Sequence, residues 1–334
     1  MSVVAENVQK GFSRGPGLLL AVTVAFAATL VSDRYGGPQL LYALFFGIAF
    51  NFLAADPRTK PGIDFAGRTI LRIGVALLGA RITFAKVAQI GWLQMAAVAF
   101  IVLLTISFGI ACARLFSYRA RVGLLTGGAV AICGASAALA ISAALPSGKD
   151  KHRMTVLTVV GVTTLSTIAM VVYPALAKLL GFSDLQSGIF IGASIHDVAQ
   201  VVGAGYLFSD AAGDTATVVK LFRVSLLVPV VFVATLIFRN NAADETEARP
   251  PLLPLFLIGF CTLAIVSSFG WIPAPAVEGM SAASRWCLVV AIAALGVKTS
   301  FQQVVSLGWK PVALMIAETA FIAFAAIGAI EILG

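Results

Sequence analysis

The chain has 334 residues, of which 60% are hydrophobic and only 11% charged, and its mean hydropathy is +0.99. Soluble domains carry about a quarter charged residues, so this composition excludes a soluble globular enzyme or regulator. The net charge of +8 is dispersed through short breaks between apolar runs, which fits topology signals and lipid contact and excludes a nucleic-acid-binding domain.

Because roughly 20 apolar residues span a bilayer as a helix, the chain reads as an all-α polytopic membrane protein of about eleven spans. A first span is expected over Leu18–Val31, although Lys10, Arg14 and the small residues Ala25 and Ala27 also fit a signal peptide. A second covers Pro38–Ala54, and the loop Asp56–Gly62, with Arg58 and Lys60, reads as cytoplasmic. The third, Phe65–Ile82, has Arg68 and Arg72 near enough to its start to snorkel. The fourth, Ala88–Cys112, ends in Arg114, Arg119 and Arg121. The fifth, Leu124–Leu145, is built almost wholly of small residues, which permit close packing or unwinding in mid-membrane. An unwound helix leaves half-helix termini whose N–H groups suit an anion.

A basic loop from Lys149 to Arg153 leads into the sixth span, which ends near Leu180. The seventh is Gly188–Gly205, in an apolar run that begins at Leu185, and the eighth, Thr215–Phe238, places Lys220 and Arg223 on one helix face. The polar stretch 239–251 is the expected linker within a single transporter domain over 1–334, with halves at about 36–180 and 184–334. Spans over Leu252–Phe269, Ala283–Val297 and Pro311–Leu333 complete the count. Loop Lys and Arg place the N-terminus in the cytoplasm. The loop from Lys149 to Arg153 contradicts that placement, a conflict that changes if the fifth or seventh segment re-enters.

An internal repeat aligns Gly62–Trp92 with Gly279–Trp309 at a shift of 217, identical in eleven of 31 columns. The columns include Arg68/Arg285, Phe84/Phe301, Gly91/Gly308 and Trp92/Trp309, which shared apolar composition does not produce. The third and tenth spans are an odd number of crossings apart, the arrangement of an inverted-topology repeat. A shorter echo at a shift of 58 pairs Gly134, Ala135 and Ser136 with Gly192, Ala193 and Ser194.

His196 and Asp197 sit deep in the seventh apolar run and form a candidate proton-coupling pair, the bland alternative being a wet helix end. Gly134, Ser136, Gly192 and Ser194 are candidates to break the fifth and seventh helices and hold a substrate oxyanion, with Gln200 beside them. Ordinary small-residue packing competes with that reading. Lys220 and Arg223 either balance an anion, pair with Asp197 or snorkel from the helix start. Glu318, seven residues into the last span, is a proton site or a hydrogen-bond partner of a neighbouring helix. Cys112, Cys133, Cys261 and Cys287 show no CxxC spacing, so neither a metal nor a disulfide framework is expected. HExxH, GxSxG, P-loop and dinucleotide motifs are absent, so neither an enzyme nor a cofactor is expected.

The stretches CGASAALA, GASIHDVAQVVGAG, VKLFRV and ALLGARITF, with nearly all the chain from residue 36 onward, resemble the YeiH-type membrane proteins of bacteria. That family is also called UPF0324 and is labelled as sulfate exporters. The resemblance implies a fold distantly similar to cation/proton antiporters and bile-acid symporters, with inverted repeats and crossed, discontinuous helices. The expected function is secondary transport of a small anion across the bacterial inner membrane, as export of sulfate or a related sulfur oxyanion coupled to protons. Sodium-coupled symport of an organic anion is the alternative, and a membrane-embedded sensor or enzyme the reading from another class. The expected partners are the anion, the coupling ion and the lipid bilayer, with a homodimer left open.

Overall fold

The computed structural model describes residues 2–146, 151–238, 254–299 and 308–333, with side chains from residue 13 onward. Every regular element among the described residues is helical. In chain order they begin α1 (Ser2–Tyr35), α2 (Gln39–Ala49), α3 (Lys60–Phe65), α4 (Leu71–Leu78), α5 (Phe84–Ile90), α6 (Trp92–Leu115), α7 (Ala120–Ala131) and α8 (Ala135–Ala144). They continue α9 (Lys151–Leu179), α10 (Asp184–Ser194), α11 (Val198–Phe208), α12 (Asp210–Ser225), α13 (Leu227–Phe238), α14 (Leu255–Ser268), α15 (Ala274–Lys298) and α16 (Trp309–Leu333). Among the described residues, six helical stretches are long and apolar enough to cross a membrane, one of them α12 and α13 taken together. The expected linker 239–251 lies outside the described residues.

The helices gather into two compact units. One comprises Met1–Phe84 and Leu255–Ser300. In it, α3 continues into α4 through a π turn at Ala66–Ile70, and this helix lies antiparallel to α15. Lys298 near the end of α15 pairs with Asp64 at 2.6 Å, while Ser284, earlier in α15, donates to the Gly74 carbonyl at 2.7 Å. Pairing that descends along one helix as it rises along the other fixes the opposed directions.

The other unit comprises Ala85–Pro254 and Phe301–Gly334. Here α6 and α16 also run antiparallel: Phe108 stacks on Phe321 at 4.2 Å between ring centroids, and Cys112 and Ala113 pack with Leu314. Both helices start at the Gly-Trp of the internal repeat. Gly91 and Gly308 have φ of 84° and 85°, left-handed values that favour glycine and let the chain turn abruptly into a helix whose first residue is tryptophan. The Phe301 and Val304 columns of the repeat lie outside the described residues.

The fifth and seventh segments, counted among the spans with re-entry left open, each turn back on themselves. Gly128 of α7 packs on Ile141 of α8, and Leu125 and Leu145 share one cavity wall, so α7 and α8 are the two arms of a hairpin. Ser209, just past α11, donates its hydroxyl to Asp184 at the start of α10 at 2.9 Å, which closes α10 and α11 into a second hairpin. The arms hold 12, 10, 11 and 11 residues. At 1.5 Å per residue each is about 15–18 Å long, half the ~30 Å hydrocarbon thickness. Between the two bases runs α9, whose 29 residues cover about 43 Å, so the hairpins enter from opposite ends and their tips meet midway.

Hairpin geometry also changes which basic residues share an end of the second unit. Because α7 and α8 return to their starting end, Lys151 and Arg153 lie beside Arg119, Arg121 and Lys310 in one cavity. The loop that contradicted the charge rule therefore stands with these three residues, whereas Lys178 lies at the far end of α9; Lys149 itself lies outside the described residues.

Candidate functional site

The tips are Ile132–Gly134 and Ile195–Asp197, between the helical arms. The breaks therefore fall at 132–134 and 195–197, not over Gly134–Ser136 and Gly192–Ser194. Nor are the GAS echoes equivalent positions: Gly134 is the last residue of its break, whereas Gly192 precedes its own by three residues. Gly134 has φ 62° and ψ −120°, a conformation closed to residues with a Cβ. It packs against the backbone of His196, so the two tips touch.

Where a helix stops in mid-membrane its last carbonyls lose their partners, and no water replaces them. Lys220 and Arg223 supply those partners. Both are fully buried, ten and thirteen residues beyond the start of α12 at Asp210. Snorkelling is excluded by that depth. The earlier placement of the helix start at Thr215 misses the cap at Ser209, whose hydroxyl accepts from the Ala212 N–H at 3.0 Å. The Lys220 ammonium donates to the carbonyls of Ile132 at 2.6 Å, Ile195 at 2.9 Å and His196. The Arg223 Nε donates to Ala131, Nη1 to Gly192 and Ile195, and Nη2 to Val130 and Ala131. Three ammonium donors and five guanidinium donors are all committed to carbonyls at the C-terminal ends of α7 and α10. Two cations thus bind both hairpins to α12. The break between α12 and α13 at Leu226 follows from Pro229, which has no N–H to offer the Ser225 carbonyl.

The remaining expected residues divide by location. His196 is fully buried, and its Nε2 lies 2.9 Å from the Thr319 hydroxyl. Thr319 donates its own hydrogen to the Met315 carbonyl at 2.7 Å, so Nε2 is the donor and the network assigns the Nε2–H form. Asp197, half-buried, caps α11 by accepting from the Ala199 N–H, and its own N–H donates to Ser166 of α9 at 3.1 Å. Gln200 reaches Thr167 of α9 at 3.4 Å.

Ser194 is buried with its hydroxyl donated to the Phe190 carbonyl at 2.6 Å. Like Gly192 it belongs to the last turn of α10, where carbonyls rather than N–H groups face the tip. Ser136 is exposed on α8. Glu318 is fully buried one residue before Thr319 and accepts from the Thr126 hydroxyl at 2.7 Å. Its Oε2 has no hydrogen-bond partner.

The structure thus brings Gly134, His196, Asp197, Gln200 and Lys220 to one locus, and links Glu318 to it through its neighbour Thr319. Sequence reasoning weighed Arg223 beside Lys220 without placing it at the carbonyls, and missed Thr126, Ser166, Thr167 and Thr319. The α9 residues carried a readable signal. Thr155, Thr158, Val162 and Ser166 recur at helical spacing and form a buried face. Among the described residues no cluster of His, Cys, Asp and Glu suits a metal ion.

Comparison with known proteins matches residues 16–315 to a family model described as conserved hypothetical protein 698. A UPF0324 membrane protein of Chlorobaculum tepidum is 52% identical over 94% of this chain and 88% of its own. The UPF0324 membrane proteins named TauZ from Paracoccus denitrificans and Paracoccus pantotrophus are 51% and 49% identical, each over 96% of this chain and 95% of its own. No solved structure matches.

Proposed function

The chain belongs to the UPF0324 family of membrane proteins, and we propose that it is a secondary transporter that exports a small sulfur oxyanion coupled to protons. The observation that carries this reading is the meeting of two half-membrane hairpins at a pair of buried cations. Lys220 and Arg223 bring two positive charges and Asp197 one negative charge to the tips. The helix ends there cancel, two carbonyl ends at about −0.5 each against two N–H ends at about +0.5 each. One positive charge remains in a setting where isolated charge is costly, and a bound monoanion neutralises it.

The place for that anion is the start of α8. The second hairpin fills its own N-terminus with the Asp197 carboxylate, whereas the α8 cap is Gly134, which has no side chain to offer. Sodium coupling is disfavoured by the same geometry, because the tip carbonyls that would coordinate a sodium ion hold the ammonium of Lys220 and the guanidinium of Arg223. Protons have two buried titratable sites beside the tips, His196 and Glu318, on adjoining elements.

The antiparallel pairs α3–α4 with α15, and α6 with α16, support an inverted-topology repeat, the build in which alternating access is a rocking of related halves. The basic end of the second unit faces the cytoplasm in this reading, by the positive-inside rule. The experiment is reconstitution of a His196→Ala, Asp197→Asn double variant. Loss of rate with a changed pH dependence is expected; transport at the parent rate with the same pH dependence removes these residues from coupling.

A further inference from the structure

Among the described residues of the second unit, three buried side-chain atoms have no hydrogen-bond partner: Nδ1 of His196, Oε1 of Gln200 and Oε2 of Glu318. A bare polar atom in a water-poor interior is costly and calls for a reason. In the transport reading His196 and Glu318 have one, since a ring nitrogen and a carboxylate oxygen can each take up a coupling proton. The Gln200 oxygen has none. An amide does not titrate in this range, and its oxygen only accepts a hydrogen bond from another group.

The orientation of that amide is fixed by its neighbour. Thr167 of α9 donates its hydroxyl hydrogen to the Thr163 carbonyl at 3.0 Å. It therefore offers Gln200 only lone pairs, which take the Nε2–H at 3.4 Å and leave Oε1 as the bare end. Gln200 is fully buried and stands in the first turn of α11, three residues past the Asp197 cap. An acceptor is thus held ready at the tip of the second hairpin.

Its distance from the anion's place sets the kind of donor. Gly134, which caps α8, packs on Val162 of α9, five residues before Thr167. The two ends are therefore separated by about 7–8 Å along that helix. A bare tetrahedral oxyanion does not cover that distance, whereas an oxyanion carrying a short chain does. Charge agrees, because the one positive charge left at the tips is matched by a monoanion with a neutral donor group and exceeded by a dianion such as sulfate.

We infer that the site is built for a sulfonate monoanion whose short carbon chain carries a hydroxyl, with the sulfonate at the start of α8 and the hydroxyl hydrogen donated to Oε1 of Gln200. The inference rests on the tips being an anion site, and it makes Gln200 a specificity-determining residue.

Hydroxyethanesulfonate and ethanesulfonate differ only in that hydroxyl. Purified full-length protein in detergent is titrated with each, and with sulfate, by isothermal calorimetry, and the same three anions are tested for counterflow in proteoliposomes. Leaving a buried acceptor unmet is costly, so hydroxyethanesulfonate is expected to bind at least about tenfold more tightly than ethanesulfonate. Gln200→Met, which keeps the reach of the side chain without its oxygen, is expected to bring the two affinities together. The parent comparison decides the matter even where the variant does not fold.

Equal affinity of the parent for the two sulfonates overturns the inference and means that water meets the acceptor. Binding of sulfate alone overturns it as well; in either case counterflow of sulfate leaves the transport reading standing. A preference that survives in Gln200→Met overturns the assignment to Gln200. The expected preference without counterflow of any anion upholds the site and removes the transport reading. Binding of none of the three overturns the inference.

Discussion

At the scale of single residues, Lys220 and Arg223 act as permanent occupants of the carbonyl ends that two broken helices expose. Their three-residue spacing was legible in the sequence, but their depth was not, because depth depends on the helix starting at Ser209–Asp210 and on the tips arriving from elsewhere in the chain. Removing either donor set strands carbonyls that water cannot reach. Lys220→Met is therefore expected to lower stability by about 3–5 kcal/mol, read as a fall in the thermal unfolding temperature in detergent. An unchanged temperature would mean that the carbonyls find other donors. Glu318 gives a gentler test. Gln at this position keeps an oxygen for the Thr126 hydroxyl but binds no titrating proton, so Glu318→Gln should fold normally and flatten the pH dependence of transport. A parent-like pH profile would assign Glu318 to structure alone.

At the scale of elements, composition showed where helices loosen but not which way the chain leaves the break. An apolar window of about 20 residues reads the same whether one helix crosses or two half-length arms fold back. Direction is set by contacts invisible in the window, Gly128 on Ile141 and Ser209 with Asp184. Gly134 is the most exacting position in either hairpin, and Gly134→Ala is expected to cost about 1–3 kcal/mol of backbone strain and to abolish transport while the protein still reaches the membrane. Full activity in that variant would show that the tip relaxes. The hairpins also make a labelling prediction. Single cysteines at positions 121 and 153 should react with an impermeant maleimide from one side of oriented vesicles, and cysteines at 184 and 210 from the other. Opposite-side labelling of 121 and 153 would restore a crossing fifth segment.

At the scale of the whole molecule, the 217-residue repeat was the most legible feature, since Gly-Trp starts a helix in both copies and the helices it marks run antiparallel within each unit. The hairpins lie outside that repeat, so their meeting point had to come from three-dimensional packing. Among the described residues of the second unit, the end bearing the first hairpin's base carries Arg114, Arg119, Arg121, Lys151, Arg153 and Lys310. Asp184, Asp210, Asp214 and Glu331 stand at the other end, with Lys178 in the last turn of α9 and with Lys86 paired to Asp214 at 2.8 Å. This polarity draws anions toward the basic end of the second unit, the end that the proposed orientation turns to the cytoplasm.

Counterflow tests the central claim most directly. Proteoliposomes loaded in turn with sulfate, sulfite, taurine or a small carboxylate would be diluted into a trace of the same radiolabelled compound. A transient accumulation of at least one sulfur-containing anion, absent with Gly134→Ala protein, is the expected result; no accumulation of any of these anions by the parent protein would contradict it.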